Sequence, residues 1–303
     1  MALLFLSKVD PADWWREELV ARLPDLEVRI WPEVGDVAGI EYALAWKPKP
    51  GELARYPNLK AIFSLGAGVD HLFGDPDLPR DVPVCRVVDE RLTAGMVEYA
   101  LLHVLRYHRR EPEYAEQQRR RVWRQLEQVS AGERSVGVMG LGVIGGEVAR
   151  RLAELGFAVA GWSRTARSLP GIACFHGADG LEPFLARSLI VVCLLPLTPE
   201  TEDILCRRTF AAMPRGGYLI NAARGAHLVE DELLAALEAG QLAGATLDVT
   251  REEPLPREHP FWRHPRVTIT PHIASITDPR TVADQVAENV RRARAGAPLL
   301  NVV

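Results

Sequence analysis

The chain has 303 residues, 48% of them hydrophobic and 25% charged, with a formal net charge of −4. This describes a globular protein of two ordinary domains with enough apolar residues for a sizeable core, and its charge gives no reason to expect nucleic acid or a membrane as partner. The four cysteines, Cys85, Cys174, Cys193 and Cys206, form no CxxC pair and no metal spacing, and read as reduced residues of a cytoplasmic protein without a metal site.

Met1–Leu6 is apolar but too short for a signal segment or a membrane span, and Leu3–Leu6 is expected to be a first strand. Pro11–Leu23 reads as a helix with Trp14, Trp15, Leu19 and Leu23 near one face; Val28–Ile30, Tyr42–Trp46 and Ala61–Ser64 read as strands. Strands alternating with helices indicate a small α/β unit. Two of its loops stand out. Trp46–Pro50 closes a strand with stiff prolines, and Leu65–Asp70 carries Gly66 and Gly68. A glycine loop after a strand can present backbone N–H groups to a carboxylate, or be an ordinary turn; Trp46 alone fits a core as well as a pocket.

From Thr93 to Leu126 the pattern is helical, with an apolar stripe of Met96, Val97, Ala100, Leu101, Val104, Leu105 and Tyr107. The arginines at 106, 109, 110, 119, 120, 121 and 124 read as a solvated face balanced by Glu111, Glu113, Glu116 and Glu127, with a nucleic-acid patch as the alternative. Trp123, inside this polar run, suits a subunit contact.

Val136–Met139, then Gly140-x-Gly142-x-x-Gly145, then apolar Val143, Ile144, Val148, Leu152 and Leu155 spell strand, tight turn and amphipathic helix. In a dinucleotide site Gly140 permits the turn, Gly142 lets backbone approach a pyrophosphate and Gly145 lets helix and strand pack, with the helix dipole facing the phosphates; a purely structural turn is the alternative. Phe157–Gly161 is the next strand. An NAD-preferring site places Asp or Glu at its end, about 20 residues past the glycines. Here the sequence is Trp162-Ser163-Arg164-Thr165, with no carboxylate. Arg164 can fork onto a phosphate and Ser163 and Thr165 can donate to it, which favours NADP(H), with NAD(H) still possible.

Leu189–Leu195, Tyr218–Asn221, Ala243–Leu247 and Val267–Ile269 read as further strands, Glu230–Glu238 as a helix closed by Gly240, and Pro279 after Asp278 as the start of a last helix to about Arg294. Gly140, Ser163, Arg224, Asp248 and His272 all follow expected carboxyl ends of strands, which in a parallel sheet share one ligand-binding edge. Taken singly, Arg224 suits an ion pair, His272 packing and Glu253 a loop charge. Together they suit reduction of a 2-keto acid: His272 as proton donor, Glu253 holding the ring and favouring its charged form, Arg224 gripping the carboxylate and stabilising charge on oxygen.

Gly140–Gly145, Asn221–Gly225, Leu247–Pro254 and Thr270–Ser275 resemble the D-isomer-specific 2-hydroxyacid dehydrogenases, in particular their glyoxylate/hydroxypyruvate reductase branch. Trp46 with Pro48, Leu65–Asp70, Glu98-Tyr99 with Arg106–Arg110, Trp162–Thr165, Leu194–Thr201 and Pro265–His272 extend the resemblance over nearly the whole chain. It implies an α/β architecture of two Rossmann-like, doubly wound parallel-sheet domains with a cleft between them. Residues 1–97 with 276–303 would form a discontinuous, flavodoxin-like substrate domain, and 98–275 the NADP-binding domain. It implies Arg224, Glu253 and His272 as catalytic; Leu141, Gly142, Val143, Ile144, Ser163, Arg164, Thr165, Leu194, Leu195, Pro196, Ala222, Ala223, Arg224, Asp248 and His272 at the cofactor; and Trp46, Ala67 and Gly68, with Arg224 and His272, at the substrate. A homodimer through the helical region before the glycine turn is implied too, and the lack of a C-terminal regulatory module argues against the longer phosphoglycerate dehydrogenase forms. The scaffold also resembles dinucleotide-sensing corepressors, which gives a binding protein as the alternative function.

Overall fold

The computed structural model describes residues 1–303, which form two compact units, Met1–Leu92 with Thr277–Val303, and Thr93–Ile276. The boundaries read from sequence, 97/98 and 275/276, differ from these by a few residues because the first falls inside a continuous helix, Glu90–His108.

The first unit contains β1 (Ala2–Leu6), α1 (Ala12–Arg22), β2 (Glu27–Ile30), β3 (Ile40–Ala45), β4 (Ala61–Ser64), α2 (Asp70–Phe73) and β5 (Val84–Cys85), and the chain's last helix, Pro279–Arg294. Its five strands are parallel, in the order β2-β1-β3-β4-β5, the flavodoxin-like order with its switch point between β1 and β3. β1 is buried throughout, as a central parallel strand covered on both faces must be. Trp15 and Leu19 face inward, whereas Trp14 turns to solvent and donates through Nε1 to Glu18, so the apolar face of α1 is narrower than its sequence suggests. The last helix starts as expected, with Pro279 in its first turn and the Asp278 side chain accepting from Arg280 N–H. It lies beside α1, where Arg22 donates to Asp284 and to the carbonyl of Arg280.

The second unit begins in α3 (Glu90–His108), followed by α4 (Glu111–Arg119), β6 (Ser135–Met139), α5 (Val143–Glu154), β7 (Ala158–Ser163), β8 (Ala173–His176), α6 (Gly177–Ala186), β9 (Ile190–Cys193), α7 (Arg207–Ala212), β10 (Gly217–Asn221), α8 (Glu230–Glu238), β11 (Leu242–Leu247) and β12 (Val267–Ile269). Seven parallel strands run β12-β11-β10-β9-β6-β7-β8. This is the order of a dinucleotide-binding sheet, whose switch point lies between β6 and β9.

The helical stretch expected from Thr93 to Leu126 is two helices. Arg110 takes a left-handed conformation (φ 58°) just before Pro112, which sits in the first turn of α4, and residues 122–130 are neither helix nor strand. The arginines here form ion pairs, Arg106 with Glu111, Arg110 with Glu113 and Arg119 with Glu116, as a solvated face does. On α5, Val148 and Leu152 are buried, but Val143 and Leu155 are exposed, so the core stripe is confined to the middle of the helix.

Candidate active site

Each glycine of the turn between β6 and α5 meets a different surrounding. A Cβ on Gly145 would lie 1.7 Å from the carbonyl oxygen of Gly140, and one on Gly140, itself at φ +100°, would lie 2.6 Å from that of Leu194. These two are required by packing alone. At Gly142, the N-cap of α5, a Cβ would meet nothing within 4 Å. The fold gives no reason for glycine there, whereas close approach of a pyrophosphate to the first-turn N–H groups does. Gly161 on β7 is glycine for a further reason, since a Cβ would come within 2.5 Å of the Leu141 side chain, which lies over it.

At the end of β7 the Ser163 hydroxyl donates to the Thr165 carbonyl (2.8 Å), bending the chain, so this hydroxyl is occupied in shaping the loop. Arg164 and Thr165 point to solvent. The guanidinium of Arg164 is near enough to Glu200 to add a smaller share to the depression of that carboxyl, which comes first from a Thr198 hydrogen bond. From Trp162 to Arg167, after β7, the chain has no Asp or Glu to take a ribose 2′-hydroxyl, and the residues present fit a 2′-phosphate.

The loops after β9, β10, β11 and β12 leave the same sheet edge. After β9, the Leu194 N–H donates to the Met139 carbonyl (2.8 Å), extending the pairing with β6. The Pro196 carbonyl accepts from Thr201 Oγ1 (2.7 Å). After β10, Asn221 organises the Arg224 loop: its Oδ1 accepts from Ala223 N–H (3.2 Å) and its Nδ2 donates to the Arg224 carbonyl (3.0 Å). Gly225 then passes so close to Thr250 that a Cβ would overlap its carbonyl group.

His272 and Glu253 meet across these loops, with His272 Nδ1 3.0 Å from Glu253 Oε2. Both side chains are partly buried. His272 sits in the left-handed region (φ 56°), where its N–H donates to the Asp248 carbonyl (2.8 Å); such a backbone persists only where neighbours hold it. Asp248, 2% exposed, supplies that hold. Its carboxylate accepts from Ile273 N–H (2.8 Å), Ala274 N–H (2.8 Å) and the Thr270 hydroxyl (2.6 Å). Thr270 in turn lies 2.7 Å from the Tyr99 hydroxyl, whose ionisation burial pushes well above the usual range. The sequence marks Asp248 by its place after a strand, whereas Tyr99, Thr270 and Gly225 enter it only as parts of the motifs that carry the resemblance, with no role assigned to them.

In the first unit, Ser64 shapes the Leu65–Asp70 loop: its hydroxyl accepts from Gly66 N–H (3.1 Å) and donates to the Gly68 carbonyl (3.0 Å). His71 Nε2 is 3.1 Å from the same hydroxyl and Nδ1 accepts from Lys47 N–H (3.2 Å). With the hydroxyl proton directed to Gly68, these contacts suit an imidazole protonated at Nε2. The Trp46 ring lies 4.5 Å from that of His71, and Gly66 leaves room for it. Ala67 and Gly68 are half-buried.

Residues 101–274 match the family described as D-isomer specific 2-hydroxyacid dehydrogenase, NAD binding domain. The chain is 46% identical to glyoxylate/hydroxypyruvate reductase A of Serratia proteamaculans over 100% of its own length and 98% of the relative's. A D-isomer specific 2-hydroxyacid dehydrogenase from Xanthobacter autotrophicus Py2, solved in complex with NADPH and MES, is 47% identical with a TM-score of 0.95, covering 100% of this chain and 97% of that one. The NADPH-dependent glyoxylate/hydroxypyruvate reductase from Sinorhizobium meliloti, solved with NADP and sulfate, is 39% identical with a TM-score of 0.93, covering 100% and 98%. With fold, glycine turn and full-length likeness in agreement, this chain belongs to the D-isomer specific 2-hydroxyacid dehydrogenase family.

Proposed function

We propose that this protein is an NADPH-dependent reductase of small 2-keto acids, with glyoxylate and hydroxypyruvate as first substrates. The observation that carries this reading is the 3.0 Å contact of His272 Nδ1 with Glu253, on loops leaving the sheet edge that bears the Gly140–Gly145 turn. When bound, the reduced nicotinamide supplies the hydride. Every other part of the reaction falls to the chain. Glu253 holds the imidazole through Nδ1, so the proton given to the carbonyl oxygen leaves from Nε2. The Arg224 fork holds the substrate carboxylate and stabilises charge growing on the carbonyl oxygen. Trp46, Ala67 and Gly68 of the first unit contact the substrate, and the second unit holds NADP(H) through residues 140–145, 163–165, 194–196, 222–224 and Asp248. The exposed Arg164, in a stretch from Trp162 to Arg167 that holds no Asp or Glu, favours NADPH over NADH.

The named relatives are reductases and dehydrogenases, which does not favour the sensor reading. A homodimer in the cytoplasm completes the proposal. The fully exposed Trp123 with Val122, in the segment preceding the glycine turn, supports the dimer. Four free cysteines and the absence of any helix long and apolar enough to cross a membrane agree with the compartment. The test is oxidation of NADPH, followed by absorbance, with glyoxylate and hydroxypyruvate, repeated with NADH. Turnover that favours NADPH is expected; no turnover with either acid overturns the reading, and a preference for NADH overturns the role of Arg164. Light scattering in solution reads the dimer directly.

A further inference from the structure

One face of α3 carries a polar stripe directed at the last two strands. Tyr99 meets Thr270, Tyr107 meets Thr246 (2.7 Å between hydroxyls) and Arg106 donates to Thr268 (2.6 Å). Of these contacts, the one at Tyr99 leads on to the backbone of His272. A carboxylate only accepts, so the Thr270 proton must go to Asp248. Thr270 is then left to accept, and Tyr99 to donate. The chain of bonds runs from Tyr99 through Thr270 to Asp248, whose carboxylate and carbonyl together take the N–H groups of His272, Ile273 and Ala274. The phenol cannot swing away easily, because Tyr99 is 7% exposed and its ring lies against His103 at 4.4 Å. We propose that Tyr99 is a positioning residue for His272, acting through Thr270 and Asp248 to keep the proton-donating loop in its left-handed turn.

The proposal rests on the reading of His272 as proton donor, and its test separates the two. Tyr99→Phe and Thr270→Val each remove one link while keeping shape. Tyr107→Phe is the control, since it removes an equally buried hydroxyl partner on the same helix without touching the Asp248 chain. Hydrogen exchange at the amides of Ile273 and Ala274 is measured alongside kcat for hydroxypyruvate and the KM for NADPH. Tyr99→Phe and Thr270→Val are each expected to speed that exchange and lower kcat by about tenfold, with the KM for NADPH unchanged. The double variant is expected to be no worse than either single one, because the links act in series. Thr270→Ser keeps the hydroxyl and is expected to behave as the parent. Exchange in Tyr99→Phe no faster than in Tyr107→Phe, or effects that add in the double variant, overturn the proposal. Altered exchange in a protein whose parent reduces no keto acid leaves Tyr99 as the holder of this loop and overturns only the assigned reaction.

Discussion

Gly225 and Thr250 are in backbone contact: a Cβ on Gly225 would lie 2.0 Å from both the carbonyl carbon and the oxygen of Thr250. The contact joins the loop of Arg224 to the loop of Glu253, and no side-chain rotation can relieve an added methyl because both colliding atoms are backbone. Gly225→Ala is expected to force the loops apart, lowering stability by about 1–3 kcal/mol. It should lower kcat/KM further than the loss of folded protein explains. Thermal melting and kinetics on the same preparation check this; a parent-like melting temperature with parent-like turnover would show the loops free to separate.

Gly142 and Gly145 give a paired prediction, because one is open and the other enclosed. Gly145→Ala overlaps the Gly140 carbonyl and is expected to destabilise the second unit by several kcal/mol. Gly142→Ala meets no protein atom, so its melting temperature should stay near that of the parent, while NADPH binding weakens by about tenfold or more through the lost backbone approach. Titration calorimetry with NADPH reads the second effect. Unchanged affinity in Gly142→Ala would remove the pyrophosphate from that turn.

Much of this arrangement is legible in the sequence, because it depends on local order. Residues 61–64, the helix at 230–238 and the Asp278–Pro279 helix start lie where apolar patterning and capping put them. The less legible parts depend on partners distant in the chain. A run of helix formers does not reveal that Arg110 turns left-handed and splits the stretch after Thr93. An edge strand of four residues such as β8 is too short to show a periodic pattern. The Ser163 hydroxyl donates to the Thr165 carbonyl, a turn contact that the sequence pattern does not announce. Tyr99 enters the sequence reading only within the Glu98-Tyr99 pair of the family resemblance, and its contact with Thr270 is not legible because Thr270 lies 171 residues away.

His103 gives the molecule an acid sensitivity with a defined sign. It is 5% exposed, and burial, helped by Arg106, brings its pKa down to about 4 from the ordinary 6.5. The folded chain therefore refuses a proton that the unfolded chain accepts between those values. Stability from this group is complete above about pH 6.5 and falls as pH drops toward about 4, by on the order of 2–3 kcal/mol. His103→Asn removes the group and is expected to flatten the fall of melting temperature over that window, at the cost of some packing against Tyr99. An equally steep fall in the variant would assign the acid sensitivity to other groups.

Arg224 offers the most direct test of the substrate-binding chemistry. Its loop is shaped by Asn221, whose amide bonds Ala223 N–H and the Arg224 carbonyl. The guanidinium itself donates to the Ala223 carbonyl (2.7 Å). Because the Asn221 amide holds the loop's backbone, changing the head group at 224 is expected to leave that backbone near its native course. Arg224→Lys keeps a positive charge but replaces a planar fork with a point donor, which cannot hold both oxygens of a carboxylate and an adjacent carbonyl in one plane. The expected outcome is a fall in kcat/KM for glyoxylate of about 100-fold, or roughly 3 kcal/mol of lost transition-state binding, with the melting temperature little changed. Added guanidinium ion restoring part of the rate to Arg224→Ala would show that the fork, and not charge alone, does this. Turnover by Arg224→Lys within about threefold of the parent would take Arg224 out of the mechanism and leave the carboxylate to be held elsewhere.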